Sequence, residues 1–467
     1  MGNAKREGRI RLLGLALTPT GKRNRSGRKL FRTFSFSTCG GTFFIFRRII
    51  RKPEGSSRPK SCLLRQSGFG CTFEVSIWPG GLVNGESALL QTTSPKDRLT
   101  IFLPSLSGGG AEKIMVFLAN AFADRGLEVC LVAADGQGPR RSEVSGMVRV
   151  VDLGVTRVAR AVGPLAGHLL NERPDAVLSA LTHANVVAVM AARLGGYRGR
   201  VVVSERNSLA HLRASSGLKA RVRSMLARRA YRASDCVVAV SRQLEDELAA
   251  FLGNGAPDLR TIYNPVELDA VIADARREPP VGLPGRPEDR LVAVGRLTKQ
   301  KGFDVLLGAF ARMAACDRQL VILGEGPERP ALEALASELG IAKRVLMPGH
   351  VGNVPAVLAR SSVFVLSSRY EGLPNALLEA LACGCHVVST DCPTGPSEIL
   401  RQPADGELVP VEDEGAMAAA IERAFLKAGR KDATSLLARF SPDRIVADYL
   451  DTLLRPALVT GLTAETR

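Results

Sequence analysis

From residue 99 onward the chain alternates short apolar, β-branched runs with longer amphipathic stretches, and this rhythm restricts it to one class of architecture. Residues 99–103, 128–134, 149–153, 175–181, 200–204, 236–241 and 260–263 read as strands. A second series lies at 291–295, 319–324, 344–347, 363–366, 386–390 and 407–409. Helical spacing fills the intervals, as at 110–125, 184–194, 217–232, 242–251, 303–314, 328–339, 375–382, 414–426 and 442–454. Strands that are apolar on both faces and alternate with helices build parallel sheets covered on each side. The fold class is therefore α/β: two Rossmann-like, doubly wound parallel-sheet domains facing each other across a cleft lined by the carboxyl ends of strands. The N-terminal domain spans 98–275 and the C-terminal domain 290–440; a proline-rich hinge occupies 276–289, and a final helix and tail 441–467.

Charge divides the chain unevenly. The 467 residues carry +17, yet residues 1–97 hold 18 Lys/Arg against 5 Asp/Glu, and the remaining 370 residues carry only +4. The folded body lacks a strongly basic balance, and no nucleic-acid partner is expected of it. Three readings of the leader compete: a disordered basic tail touching anionic lipid or nucleic acid, a targeting signal, or sequence foreign to the native protein. Its apolar core at 12–17 is short and lacks a clear small-residue cleavage site. Residues 33–46 hold too many Ser, Thr and Gly to span a bilayer, which needs about 20 apolar residues. No methionine occurs between Met1 and Met115, so a start near Val83 requires a non-Met codon; this third reading is favoured. Nine scattered cysteines, an odd number without framework spacing, suit a reducing compartment and a cytoplasmic location.

The most informative segment is 366–399. Glu371 and Glu379 stand eight positions apart around Gly372-Leu373-Pro374-Asn375, a turn feeding a short apolar helix closed by Gly384. Pro374 fits a first-turn position and Asn375 a cap. The free amides and dipole of such an end attract phosphate, while Glu371 just ahead accepts hydrogen bonds from sugar hydroxyls. An ordinary helix with two surface glutamates is the competing reading. Cys383, Cys385 and His386 mark a helix end and a strand start rather than a metal site.

Three more loops fall at strand ends. Ser105 to Lys113 carries Gly108, Gly109 and Gly110 into a helix start, suited to close backbone approach by an anion. Dinucleotide sites also use glycine turns, but Gly-Gly-Gly-Ala-Glu lacks their G-x-G-x-x-G order. After the first strand of the second domain, Arg296 and Lys301 are placed to converge on a diphosphate, one as a fork and one as a point charge; solvated loop cations are the alternative. Gly324 and Gly326 form a further glycine turn before a helix.

In that order, GRLTKQKG, LGEGPE and EGLPNALLEALACGCHVVSTDCPTGPSEIL resemble the C-terminal domain of retaining glycosyltransferases of family 4, which have the GT-B fold. The N-terminal FLPSLSGGGAEK, VVVSERNS and IYNPV resemble members that build bacterial surface polysaccharides and lipid-linked oligosaccharides. The resemblance covers residues 99–454 and excludes the leader. It implies that Arg296 and Lys301 neutralise a donor diphosphate, Glu379 holds the nucleotide ribose, and Glu371 lies beside the donor sugar. Gly372, Leu373, Pro374 and Asn375 match the loop whose free amides would meet sugar and phosphate, Gly109 and Gly110 would close over the diphosphate, and the base would lie near Gly349, His350 and Val351. Many relatives place a sugar-contacting histidine after the strand that here runs into Glu205, Arg206 and Asn207; His183, ending the preceding strand, is another candidate. His386 stands where many relatives have proline.

The activity so implied is metal-independent retaining transfer of a sugar from a nucleotide-sugar, of UDP type, to a lipid-linked or polysaccharide acceptor. The nucleotide-sugar is a co-substrate and no cofactor is expected. A GT-B epimerase of UDP-sugars and a non-catalytic carbohydrate-binding relative remain as alternatives. The Lys/Arg-rich stretch 212–232 is a candidate for peripheral contact with the inner face of the membrane, against a plainly solvated helix face.

Overall fold

The computed structural model describes residues 97–210, 217–313, 317–427 and 429–455, together with the backbone of four strands nearer the N-terminus. Those four pair as two antiparallel hairpins, β1 (Phe34–Thr38) with β2 (Gly41–Ile45) and β3 (Lys60–Arg65) with β4 (Thr72–Ile77). Most of the leader, including its short apolar core and the Val83 start, lies outside the described residues. Residues 1–96 form one unit and residues 97–467 another, and the latter holds both parallel sheets.

The first sheet contains β5 (Arg98–Ser105), β6 (Glu128–Asp135), β7 (Arg149–Asp152), β8 (Ala176–Ala180), β9 (Arg200–Glu205), β10 (Cys236–Ala239) and β11 (Asp258–Thr261), in the order β11-β10-β9-β8-β5-β6-β7. The second contains β12 (Arg290–Val294), β13 (Gln319–Leu323), β14 (Val345–Gly349), β15 (Val363–Leu366), β16 (His386–Thr390) and β17 (Glu407–Val409), in the order β14-β13-β12-β15-β16-β17. Every pairing in both sheets is parallel. In each sheet the strand order reverses beside the first strand, which opens a crevice at the carboxyl ends of the strands. The loops after β5, β9, β12, β15 and β16 all leave from such ends.

Helix faces complete the burial. All five residues of β8 are buried, as expected of a strand covered on both faces. Two elements sit away from where the sequence order places them. Helix Leu268–Ala275 packs against helices Val354–Leu358 and Asn375–Ala382 of the C-terminal domain, and Asn353 donates to the Asp274 carbonyl at 3.0 Å. Helix Pro442–Leu454 returns to the first domain, where Ile445, Val446, Tyr449 and Leu453 join the core formed by Leu99, Met115, Phe122 and Val202. The chain thus crosses between the domains twice.

Candidate active site

The loop after β15 presents Glu371, which is 6% exposed. Lys301, from the turn after β12, donates to Glu371 Oε1 at 2.5 Å, and Ser368 Oγ donates to the same oxygen at 2.6 Å. The cation and the acid picked out in sequence therefore meet. The second acid, Glu379, takes a partner from the other domain: Lys113 Nζ lies 2.5 Å from Glu379 Oε1. Arg296 is exposed, and its charge favours ionised Glu112 in the opposite domain.

Glu112 lies in the first turn of helix Gly110–Asp124 and is 7% exposed. Burial pushes its carboxyl above the ordinary carboxylate range, opposed by its own backbone amide and by Arg140, Arg206 and Arg296. A Cβ on Gly109 would come within 2.2 Å of Glu112 Oε2, so a side chain here would displace the buried Glu112 carboxylate. Gly110 lies against Asn375, whose Nδ2 donates to the Gly110 carbonyl at 3.4 Å.

Helix Asn375–Ala382 has the bounds read from sequence, but the two residues at its start exchange the roles expected of them. Pro374 occupies the cap position with extended backbone, and Asn375 is the first helical residue, its side chain making no cap. Instead, Asn375 Oδ1 accepts from Asn264 Nδ2 at 2.6 Å, while Asn264 Oδ1 accepts from Arg206 at 2.5 Å. Arg206, Asn264 and Asn375 thus form one polar chain across the cleft.

Next to it the two backbones pair. Asn207 and Gly372 form an antiparallel bridge, and the Ser208 amide donates to the Glu371 carbonyl at 2.7 Å. A Cβ at Gly372 would stand 2.2 Å from the Arg206 carbonyl oxygen, so only glycine permits this approach. Leu373 is buried beneath the turn. Gly324 and Gly326 serve packing between loops, since a Cβ on either would strike the carbonyl oxygen of Gly295 or Leu297 at 2.0 and 2.2 Å. Gly349 ends β14, and Val351 after it is buried at 5% exposure.

The residues placed against the sugar separate clearly. Glu205 is 1% exposed and occupied within its own domain: Tyr231 donates to it, Thr182 Oγ1 donates at 2.8 Å, and the Arg206 amide donates at 2.9 Å. Burial and then the Glu205 charge push the Tyr231 phenol well up. His183 does not end a strand. β8 stops at Ala180, helix Thr182–Leu194 begins before the histidine, and His183 is exposed in its first turn. Nor does it cap that helix, which has no side-chain cap.

Cys383 and Cys385 are held by packing. Burial raises both thiols to about 12, and Cys385 Sγ donates to the Leu358 carbonyl at 3.2 Å. His386 contacts the Gly429 carbonyl at 3.0 Å.

Sequence reading alone missed Lys113, Glu112 and Asn264. A signal for the first existed: a lysine in the opening turns of a helix opposes the macrodipole and needs another reason to be there.

Two parallel-sheet domains that close on one shared cluster of loops are the GT-B arrangement. A glycosyltransferase family 4 model matches residues 108–270, and a glycosyl transferases group 1 model matches residues 288–426. The chain is 29% identical over 363 residues to the lipopolysaccharide core biosynthesis glycosyltransferase LpsE of Rhizobium meliloti, covering 74% of this chain and 96% of that one. It is 26% identical over 380 residues to the N-acetylgalactosamine-N,N'-diacetylbacillosaminyl-diphospho-undecaprenol 4-alpha-N-acetylgalactosaminyltransferase of Campylobacter jejuni, covering 76% and 99%. In fold it is similar to Anabaena HepE, solved in complex with UDP-glucose, with a TM-score of 0.61 at 18% identity over 76% of this chain and 100% of that one. The chain thus carries a glycosyltransferase family 4 domain followed by a glycosyl transferases group 1 domain, and is a glycosyltransferase of GT-B fold.

Proposed function

We propose that this glycosyltransferase moves a sugar from a UDP-sugar to a lipid-linked or polysaccharide acceptor, with retention at the anomeric carbon. The observation that carries the reading is the meeting of Lys301 and Glu371 at 2.5 Å, beside the N-terminus of helix Asn375–Ala382. The relative in Campylobacter jejuni is named for a diphospho-undecaprenol acceptor, and HepE was solved with UDP-glucose; both support the choice of substrates.

Lys301, Arg296 and the helix amides would take the charge that builds on the leaving diphosphate. As the bond between the anomeric carbon and the phosphate oxygen breaks, the acceptor oxygen bonds the same face of the sugar. Its proton passes to the departing phosphate, so no further base is required. Glu371 would then orient the sugar and Glu379 the ribose, which makes both acids positioning groups. Lys113 would exchange Glu379 for the ligand as the nucleotide settles. Gly109, Gly110 and the turn through Gly372, Leu373, Pro374 and Asn375 would bring amides to the diphosphate and sugar. The base would lie at Val351.

A thermal-shift screen of nucleotide-sugars tests the donor. A donor at one hundred times its Kd adds about 2.7 kcal/mol of stability, so the UDP-sugar used should stand apart from its GDP and ADP counterparts. Radiolabel from that donor should appear in a lipid-extractable product. Stabilisation by no UDP-sugar, or an epimer as the sole product, would refute the reading.

Among the described residues, no helix is long and apolar enough to cross a membrane. One exposed face supports a reading of peripheral contact with lipid. Helix Leu218–Arg232 exposes Leu218, Val222, Met225 and Leu226 at 78, 41, 45 and 40%, spaced so that they share one face. Arg221, Arg223 and Arg229 are exposed on the same helix, and neighbouring helix Thr182–Leu194 adds exposed Met190 and Leu194. Apolar side chains flanked by cations suit an anionic bilayer surface, each cation contributing about 1 kcal/mol. Leu218→Glu with Met225→Glu should lower binding to phosphatidylglycerol-containing vesicles at least tenfold in co-sedimentation. Unchanged binding would dismiss this face.

A further inference from the structure

The segment after β16 touches both the donor loop and the opposite domain, and the residue that makes it do so is Glu398. Its carboxylate sits at the N-terminus of helix Arg242–Leu252, in the other domain. There it accepts from the Arg242 amide at 3.0 Å and the Gln243 amide at 2.7 Å. Tyr263 Oη donates to the same carboxylate at 3.0 Å. The side chain of the helix's own cap, Ser241, accepts from the Leu244 amide at 3.3 Å and leaves the Arg242 and Gln243 amides to Glu398. Helix starts leave four amides without internal partners and favour a negative charge there. An acid from the facing domain supplies both needs.

The surrounding contacts lead in one direction. Gln243 Oε1 accepts from the Gly395 amide at 2.9 Å, and Gln243 Nε2 donates to Ser397 Oγ at 3.1 Å. Ser241 Oγ meets Thr394 Oγ1 at 3.2 Å. Thr394 Oγ1 also donates to the carbonyls of Glu371 and Gly372 at 3.2 and 2.9 Å. The Glu371 amide in turn donates to the Pro393 carbonyl at 2.8 Å. A short strip, 393–398, is therefore tied at one end to the turn carrying Glu371 and at the other to the facing domain. The same turn meets that domain directly through the Asn207–Gly372 bridge.

We infer that Glu398 is a positioning residue: its seat on the helix Arg242–Leu252 reports domain closure to the Glu371–Gly372 turn and holds that turn in place for transfer. The contacts stand whatever the donor proves to be; only the catalytic consequence rests on the function proposed above. When the domains part, the carboxylate leaves the helix end and the strip loses one of its two anchors. The turn is then free to relax, so its geometry is complete only in the closed enzyme. Closure also excludes water from a reaction in which hydrolysis competes.

Hydrogen exchange on the full-length protein reads the coupling without any substrate. In Glu398→Ala, amides of residues 242–243 should exchange at least tenfold faster, and those of 371–372 should accelerate with them. Glu398→Gln keeps one acceptor oxygen and should fall between. Gln243→Ala, which removes the Gly395 and Ser397 contacts while leaving Glu398 in place, should produce a weaker form of the same pattern and stands in if Glu398→Ala does not fold. In activity, Glu398→Ala should lower kcat at least tenfold while the Kd for UDP, measured by calorimetry, changes less than threefold. Faster exchange at 242–243 with none at 371–372 would overturn the coupling, as would wild-type exchange at both. Failure of wild-type protein to bind UDP would count against the proposed donor and leave the exchange result to decide on Glu398.

Discussion

Lys301→Ala is expected to lower the rate of sugar transfer by about 10²–10³, the loss seen when one preorganised donor to a developing oxyanion is removed. The same change affects stability. Lys301 and Glu371 are 19% and 8% exposed in their side chains, and removing one partner of a largely buried pair costs about 3 kcal/mol because the other charge is left without compensation. A dead enzyme could then be merely an unfolded one. Lys301→Ala combined with Glu371→Gln separates these outcomes, since the amide removes the stranded charge. Thermal unfolding should return towards wild type in the double variant while single-turnover transfer stays at the level of Lys301→Ala or below. Glu379→Ala should behave differently. Loss of a charged hydrogen bond to the ribose is worth about 1.5–3 kcal/mol, so donor Kd should rise tenfold or more. Wild-type turnover in Lys301→Ala and Glu379→Ala together would remove the assignment of the site.

The legible part of this protein is what neighbouring residues decide. Strands β15, β16 and β17 match the strands read from sequence to the residue, because Ser362, Ser367, Asp391, Gly406 and Pro410 punctuate the pattern. Helix Val162–Glu172 left no such trace: Gly163, Pro164 and Gly167 interrupt its apolar spacing, and packing of Leu165 and Leu169 into the domain core and against helix Thr182–Leu194 holds it. The role of Asn375 has a similar origin. Its cap chemistry was sound locally, but Asn264 captures the side chain from across the cleft. Lys301 and Glu371 could be guessed as a pair only through their loops. Lys113 and Glu379 are 266 positions apart, and Arg242 and Glu398 are 156 apart; no periodicity connects such residues. Glu205 shows the same limit: it stands at the expected strand end, and its hydrogen bonds from Tyr231 and Thr182 come from residues that no local pattern connects to it.

Removing the last helix should unfold the first domain, although helix Pro442–Leu454 lies at the far end of the chain. Ile445, Val446, Tyr449 and Leu453 are each no more than 2% exposed. Burying a side chain of this size contributes about 1.5–3 kcal/mol, so the four together account for at least about 6 kcal/mol. A domain's whole margin is about 5–15 kcal/mol. Hydrogen bonds also break, for Arg200 Nε donates to the Thr452 carbonyl at 2.7 Å. A chain ending at residue 440 should therefore show lost near-ultraviolet dichroism and aggregate at temperatures the full protein withstands. Single substitutions identify the cause. Tyr449→Ala opens a cavity in a fully buried position and should lower stability by about 3–5 kcal/mol. Tyr449→Phe keeps the ring and gives up only a long contact, 3.4 Å, from Arg206, so it should remain within about 1 kcal/mol of wild type. Equal unfolding midpoints for Tyr449→Ala and wild type would show that the helix rests on the domain without supporting it. Arg206 continues through Asn264 to Asn375, so a domain that loosens here loses its polar chain to the donor helix as well. Transfer should accordingly fail in Tyr449→Ala at temperatures below its unfolding midpoint, while Tyr449→Phe remains active.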